Sequence, residues 1–128
     1  VIFGIGTDIV RVARIAGSLE RHGARFAERI LTDEELAEFA RASRPAHFLA
    51  KRFAAKEAAA KALGTGFSGG LSLRHIGVVH DARGRPGLRF SGEAARLAEE
   101  FGIGEMHLSL SDEQEYALAF VTLVRRGA

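Results

Sequence analysis

The apolar positions of the chain change period several times, and each change marks an element. Residues Ile2 to Val10, I-F-G-I-G-T-D-I-V, form a β-branched run of strand length. Period two puts Phe3, Ile5, Thr7 and Ile9 on one face and Gly4, Gly6 and Asp8 on the other. Val12, Ile15, Ala16 and Leu19 then recur at helical spacing, His22-Gly23 ends that helix, and Phe26, Ala27, Ile30 and Leu31 predict a further turn or two. Thr32 with Glu35 has the form of a capping box for a helix running to about Ala42. Pro45 separates it from an alanine-rich helix that contains Phe53 and is stopped by Gly64 and Gly66.

The second half reads mainly as strands. After the loop Gly64 to Gly70, Leu73 to His80 is a strand, Asp81 to Gly87 a turn and Leu88 to Phe90 the returning partner. Ser91 caps a helix, Gly92 to Phe101, that Gly102 ends. Alternation is clean from Met106 to Ser111, with Met106, Leu108 and Leu110 on one face and His107, Ser109 and Ser111 on the other. Asp112 to Glu115 makes the turn into an apolar strand, Tyr116 to Val124.

Composition narrows the function classes. A chain of 128 residues is the size of one compact domain, 1–128, and 47% hydrophobic with 27% charged residues is the balance of an ordered globular chain. No apolar run approaches the roughly 20 residues of a membrane span, and the chain opens on a strand-like run without a basic leader, so a cytoplasmic location is expected. The absence of cysteine excludes disulfides, thiolate metal sites and cysteine nucleophiles. Net charge is only +2, yet Arg11, Arg14, Arg21, Arg25 and Arg29 face only Glu20 and Glu28 in the same stretch. Such a patch suits an acidic partner, and it equally suits a solvated helix face in a chain with 15 arginines and 3 lysines.

Candidate chemistry sits on two elements. Asp8 lies in a strand, where aspartate is disfavoured, beside two glycines that permit close approach of a ligand or another backbone. It is either a placed carboxylate or the cap of the helix that follows. Phe53, Glu57 and Lys61 fall at i, i+4 and i+8 on the alanine-rich helix, which aligns a carboxylate with an ammonium; an exposed ion pair has the same spacing. The glycine loop after that helix lacks the order and the lysine-serine signature of a Walker phosphate loop. His107 is accompanied by two hydroxyls on its face, whereas His22, His47, His75 and His80 have no metal-ligand spacing.

Three separated segments carry a joint resemblance: G-I-G-T-D at Gly4 to Asp8, F-A-A-K-E-A-A-A-K-A-L-G-T-G from Phe53 to Gly66, and H-L-S-L-S-D from His107 to Asp112. Together they resemble the small bacterial holo-acyl-carrier-protein synthases of the 4′-phosphopantetheinyl transferase superfamily. The resemblance implies an α+β fold with antiparallel strands and a long central helix, which fits the order of elements above. It implies transfer of phosphopantetheine from coenzyme A to a serine of apo acyl carrier protein, in fatty acid biosynthesis, with Mg²⁺ held by Asp8 and Glu57. Lys61 would meet the phosphate, and Gly64 and His107 would contact the coenzyme. A water relayed to Glu57 or a carboxylate of the carrier would take the serine proton. It further implies a homotrimer with sites between subunits and an acidic carrier docked on the helix of Arg14, Arg21 and Arg25, with no nucleic acid or membrane partner. A nucleic-acid-binding module would account for the arginines but leaves Asp8 and Glu57 unexplained, and a catalytically dead homologue or a transferase serving polyketide carriers fits the same motifs.

Overall fold

The computed structural model describes residues 1–127. Its elements run β1 (Ile2–Arg11), α1 (Val12–His22), α2 (Ala24–Ile30), α3 (Asp33–Phe39), α4 (Pro45–Leu63), a 3-10 turn (Leu73–His75), β2 (Ile76–His80), β3 (Pro86–Phe90), α5 (Gly92–Phe101), β4 (Ile103–Asp112) and β5 (Tyr116–Arg125). An antiparallel sheet in the order β1-β5-β4 and a separate antiparallel ribbon β2-β3 give an α+β fold, with α4 packed against β1 and β5.

Helix α4 is the axis of the molecule, and its residues explain why. Pro45 supplies a favourable first residue, and Gly64, at φ 82°, closes the last turn by donating its amide to the Ala60 and Lys61 carbonyls. Between them Leu49, Ala50, Ala54, Ala55, Ala58, Ala59, Ala60, Ala62 and Leu63 are all buried. Burial on every side is the mark of a helix inside the core. On one side the contact is backbone to backbone: a Cβ at Gly4 would overlap the Ala62 carbonyl oxygen, and one at Gly6 the Ala58 carbonyl oxygen. The glycines of β1 therefore admit the helix, and the space they leave is filled by α4 rather than by a ligand.

Other expectations are adjusted by local chemistry. Helix α3 has the Thr32/Glu35 capping box but ends at Phe39, three residues short of Ala42. The segment expected as one strand from Leu73 begins as a 3-10 turn, because Ser72 accepts from the Arg74 amide and its own amide donates to His75 Nδ1. Ser91 precedes α5 but makes no side-chain capping bond; its hydroxyl points to the His75 carbonyl. On β1 the alternation is interrupted near Phe3, which stacks on Phe101 at 5.1 Å between centroids while Arg125 covers its ring. Ile5, Thr7 and Ile9 lie on the open face. No helix among the described residues is long and apolar enough to cross a membrane.

Candidate functional site

The glycine–alanine seam brings the strand carboxylate to the helix charges. Asp8 is two residues beyond Gly6 on the same face of β1, and Glu57 and Lys61 flank Ala58 on α4, where that helix touches Gly6. Lys61 Nζ donates to the Thr7 carbonyl at 2.9 Å and to Asp8 Oδ1 at 3.2 Å, with the lysine 54% and the aspartate 16% exposed. The pairing is thus half open to solvent on the lysine side. Glu57 is partly buried, and its pKa is raised, first by desolvation and then by the Asp8 charge, against the opposing pull of Lys61. A carboxylate desolvated beside a second carboxylate is a group short of positive charge.

Among the described residues no cluster of three or more His, Cys, Asp or Glu side chains is placed to hold a metal ion. Two hard carboxylates with open positions beside them still fit Mg²⁺, which commonly takes one or two protein carboxylates and completes its shell with water and phosphate oxygens. Gly64 ends the same helix; its α-carbon is uncrowded, although its amide is committed to the cap.

His107 is not brought to this group within one chain. It lies on the opposite face of the sheet, in the row Ile5–Thr122–His107, and its Nε2 is 2.9 Å from Glu105 Oε2. There it borders a cavity of about 610 Å³ between β4 and the β2-β3 ribbon, whose other walls include His80, Arg85 and Arg89. The ribbon side of this cavity was missed in the sequence, where the D-A-R-G-R-P-G stretch reads only as a turn.

The basic region is open. Arg14, Arg21, Arg25 and Arg29 are exposed, and among the described residues none of them forms an ion pair with a carboxylate. Arg21, Arg25 and Arg29, with His22 and Phe26, surround a depression of about 290 Å³ between α1 and α2.

The family model of the 4′-phosphopantetheinyl transferase superfamily matches residues 4–121, a span that contains α4, β4 and β1 from Gly4 onward. The chain belongs to that superfamily. It is 63% identical over 123 residues to the holo-[acyl-carrier-protein] synthase of Halorhodospira halophila, covering 96% of this chain and 98% of the relative. Among solved structures, the holo-[acyl-carrier-protein] synthase of Neisseria meningitidis superposes with a TM-score of 0.93 at 50% identity, over 98% of this chain and all of the other (100%). The Helicobacter pylori holo-[acyl-carrier-protein] synthase in complex with coenzyme A gives 0.82 at 30% identity, over 94% and 99% of the two chains. For a 4′-phosphopantetheinyl transferase, the acid-bearing strand and the helix of Glu57 and Lys61 are the elements that need a chemical account.

Proposed function

We propose that this transferase moves the 4′-phosphopantetheinyl group of coenzyme A onto a serine of apo acyl carrier protein, acting as a single domain in the cytoplasm for fatty acid biosynthesis. The serine oxygen forms a bond to the pantetheine-side phosphorus, and the pyrophosphate bond breaks with its electron pair on adenosine 3′,5′-bisphosphate. The observation that carries this reading is the convergence of Asp8 with Glu57 and Lys61 at the glycine–alanine seam.

Asp8 and Glu57 are the residues that would hold Mg²⁺, which when bound supplies positive charge to the phosphoryl oxygens. Lys61, exposed and attached to α4, supplies a second positive charge that can turn from Asp8 to a phosphate. Burial and the Asp8 charge raise the Glu57 pKa, the direction that favours holding the proton released by the serine. Gly64 allows the coenzyme to pass close to the end of α4.

His107 and the arginines of the neighbouring cavity suit the anionic nucleotide, and about 610 Å³ is within the usual range of small-molecule pockets. Because His107 occupies the sheet face opposite Asp8, this role is best met in a homotrimer in which one subunit's His107 approaches the acids of another. The exposed Ile5, Ile9, Leu118 and Phe120 on that face support such packing. An acidic carrier docks on Arg14, Arg21 and Arg25, which have no carboxylate partner among the described residues.

The deciding experiment is mass spectrometry of apo acyl carrier protein incubated with the enzyme, coenzyme A and Mg²⁺. A mass gain of one phosphopantetheine is expected, and none when chelator is present from the start of the incubation. No gain with several carriers, under conditions where coenzyme A binding is verified, would overturn the reading.

A further inference from the structure

Opposite the glycine seam, α4 is gripped by a buried ion pair that the transfer chemistry does not use. Lys56, fully buried, donates to Glu35 Oε1 at 2.7 Å and to the Ile76 carbonyl. Glu35, 1% exposed, takes the Val78 amide on its other oxygen at 2.8 Å and the Thr32 amide at 2.8 Å on Oε1. The Ser91 amide donates to the His75 carbonyl, so the odd-numbered residues of this segment face β3. Ile76 C=O and Val78 N–H consequently project from the other edge of β2. Lys56 and Glu35 supply there the donor and the acceptor that another strand would bring.

A two-stranded ribbon is marginally stable by itself and its free edge needs cover. Here the cover is the Lys56–Glu35 pair, with one partner on α3 and the other on α4, adjacent in sequence to Glu57, and with the buried Arg52 Nε, also on α4, 3.9 Å from Glu35 Oε2. The same ribbon carries Arg85 and Arg89 on the wall of the cavity that His107 borders.

We propose that the Lys56–Glu35 pair is a positioning device for coenzyme A: it substitutes for a third strand and sets the β2-β3 wall at a fixed place relative to the helix that bears Glu57 and Lys61. The inference rests on the reading of coenzyme A as the ligand. An ion pair retained only for stability can be exchanged for apolar side chains of similar size with little loss, because the desolvation of both charges is relieved together. Apolar side chains have no donor for Ile76 or acceptor for Val78. The exchange therefore affects stability and placement together, and melting and ligand affinity read the two separately.

The test compares wild type, the double variant Lys56→Met with Glu35→Leu, and the single variant Glu35→Gln. Melting temperature, calorimetric affinity for coenzyme A, transfer kinetics and hydrogen exchange of the Val78 amide are measured in the intact protein. The double variant is expected to melt below wild type, because the Ile76 carbonyl, the Val78 and Thr32 amides and Arg52 all lose a buried partner, to exchange Val78 faster, and to bind coenzyme A about 10-fold or more weakly, the scale of a small misplacement of a binding wall. A folded double variant with wild-type affinity and wild-type KM for coenzyme A would overturn the proposal, whatever its melting temperature. Should the double variant not fold, Glu35→Gln decides, since it keeps the volume and one acceptor: raised KM for coenzyme A supports positioning and an unchanged KM refutes it. A wild type that binds coenzyme A without transferring to any carrier refutes the transferase reading instead, while the affinities still judge the pair.

Discussion

Glu57 combines a cost to the fold with a proposed place in the chemistry. Its folded pKa lies above the unfolded one because ionisation is opposed by burial and by Asp8. The ionised form therefore costs stability at all pH values above the folded pKa, and the cost disappears as pH falls through the folded value toward the unfolded one. Glu57→Gln should raise the melting temperature of the metal-free protein at neutral pH and remove this component of its pH dependence. It should also lower transfer by about 100-fold or more, the scale of losing one electrostatic contact to a transition state. Calorimetric melting across pH, with the mass assay on the same samples, checks both halves. An unchanged melting curve would show that Glu57 is not strained, and normal transfer would remove it from the site. At this scale the sequence was informative where side-chain type conflicts with its surroundings. Aspartate in a strand drew notice to Asp8. Lys56, in contrast, shows no such conflict in the sequence, and only an alanine count extending around the whole circumference signals that an ammonium there must be buried.

Between elements, the decisive contact is the seam of β1 and α4. Gly6→Ala would drive a methyl group into the Ala58 carbonyl and force the helix from the strand. A loss of about 1–3 kcal/mol is expected from such overpacking, together with reduced transfer because Asp8 and Glu57 separate. Urea unfolding and the transfer assay measure the two effects, and a variant as stable and active as wild type would show that the seam has slack. Element existence was legible because periodicity, proline and glycine act locally: the ten-residue β1, the capping box of α3 and the stop at Gly64 all follow from neighbours in sequence. What filled the space beside Gly4 and Gly6 was not legible. It depends on which of two distant partners, a ligand or Ala58 and Ala62, approaches the strand. The 3-10 turn at Leu73–His75 was likewise hidden, since it arises from a histidine ring bonding back to the Ser72 amide.

For the whole molecule the two sheet faces carry different duties. The inner face meets α4, while the outer one leaves Ile5, Ile9, Leu118 and Phe120 exposed beside His107. Phe120→Glu should yield monomers that keep their secondary structure and lose transfer, as read by sedimentation and circular dichroism. A trimer that survives this change would place the interface elsewhere. Mixing inactive Glu57→Ala with inactive His107→Ala subunits should restore part of the activity if sites are shared between copies. On another surface, reversing Arg14 and Arg21 to glutamate should weaken carrier binding while coenzyme A affinity holds, and the wild-type association rate should fall as salt rises. The proposed trimer and the proposed carrier surface could not be read from periodicity, because both depend on a second molecule. The seam has a last consequence, for behaviour on heating. Where strand and helix meet through glycine and carbonyl atoms there are no rotamers to populate, so warming adds little local disorder at that contact. The surface loops and the ribbon should loosen first, and the spacing of the two acids should persist until the molecule unfolds as a unit.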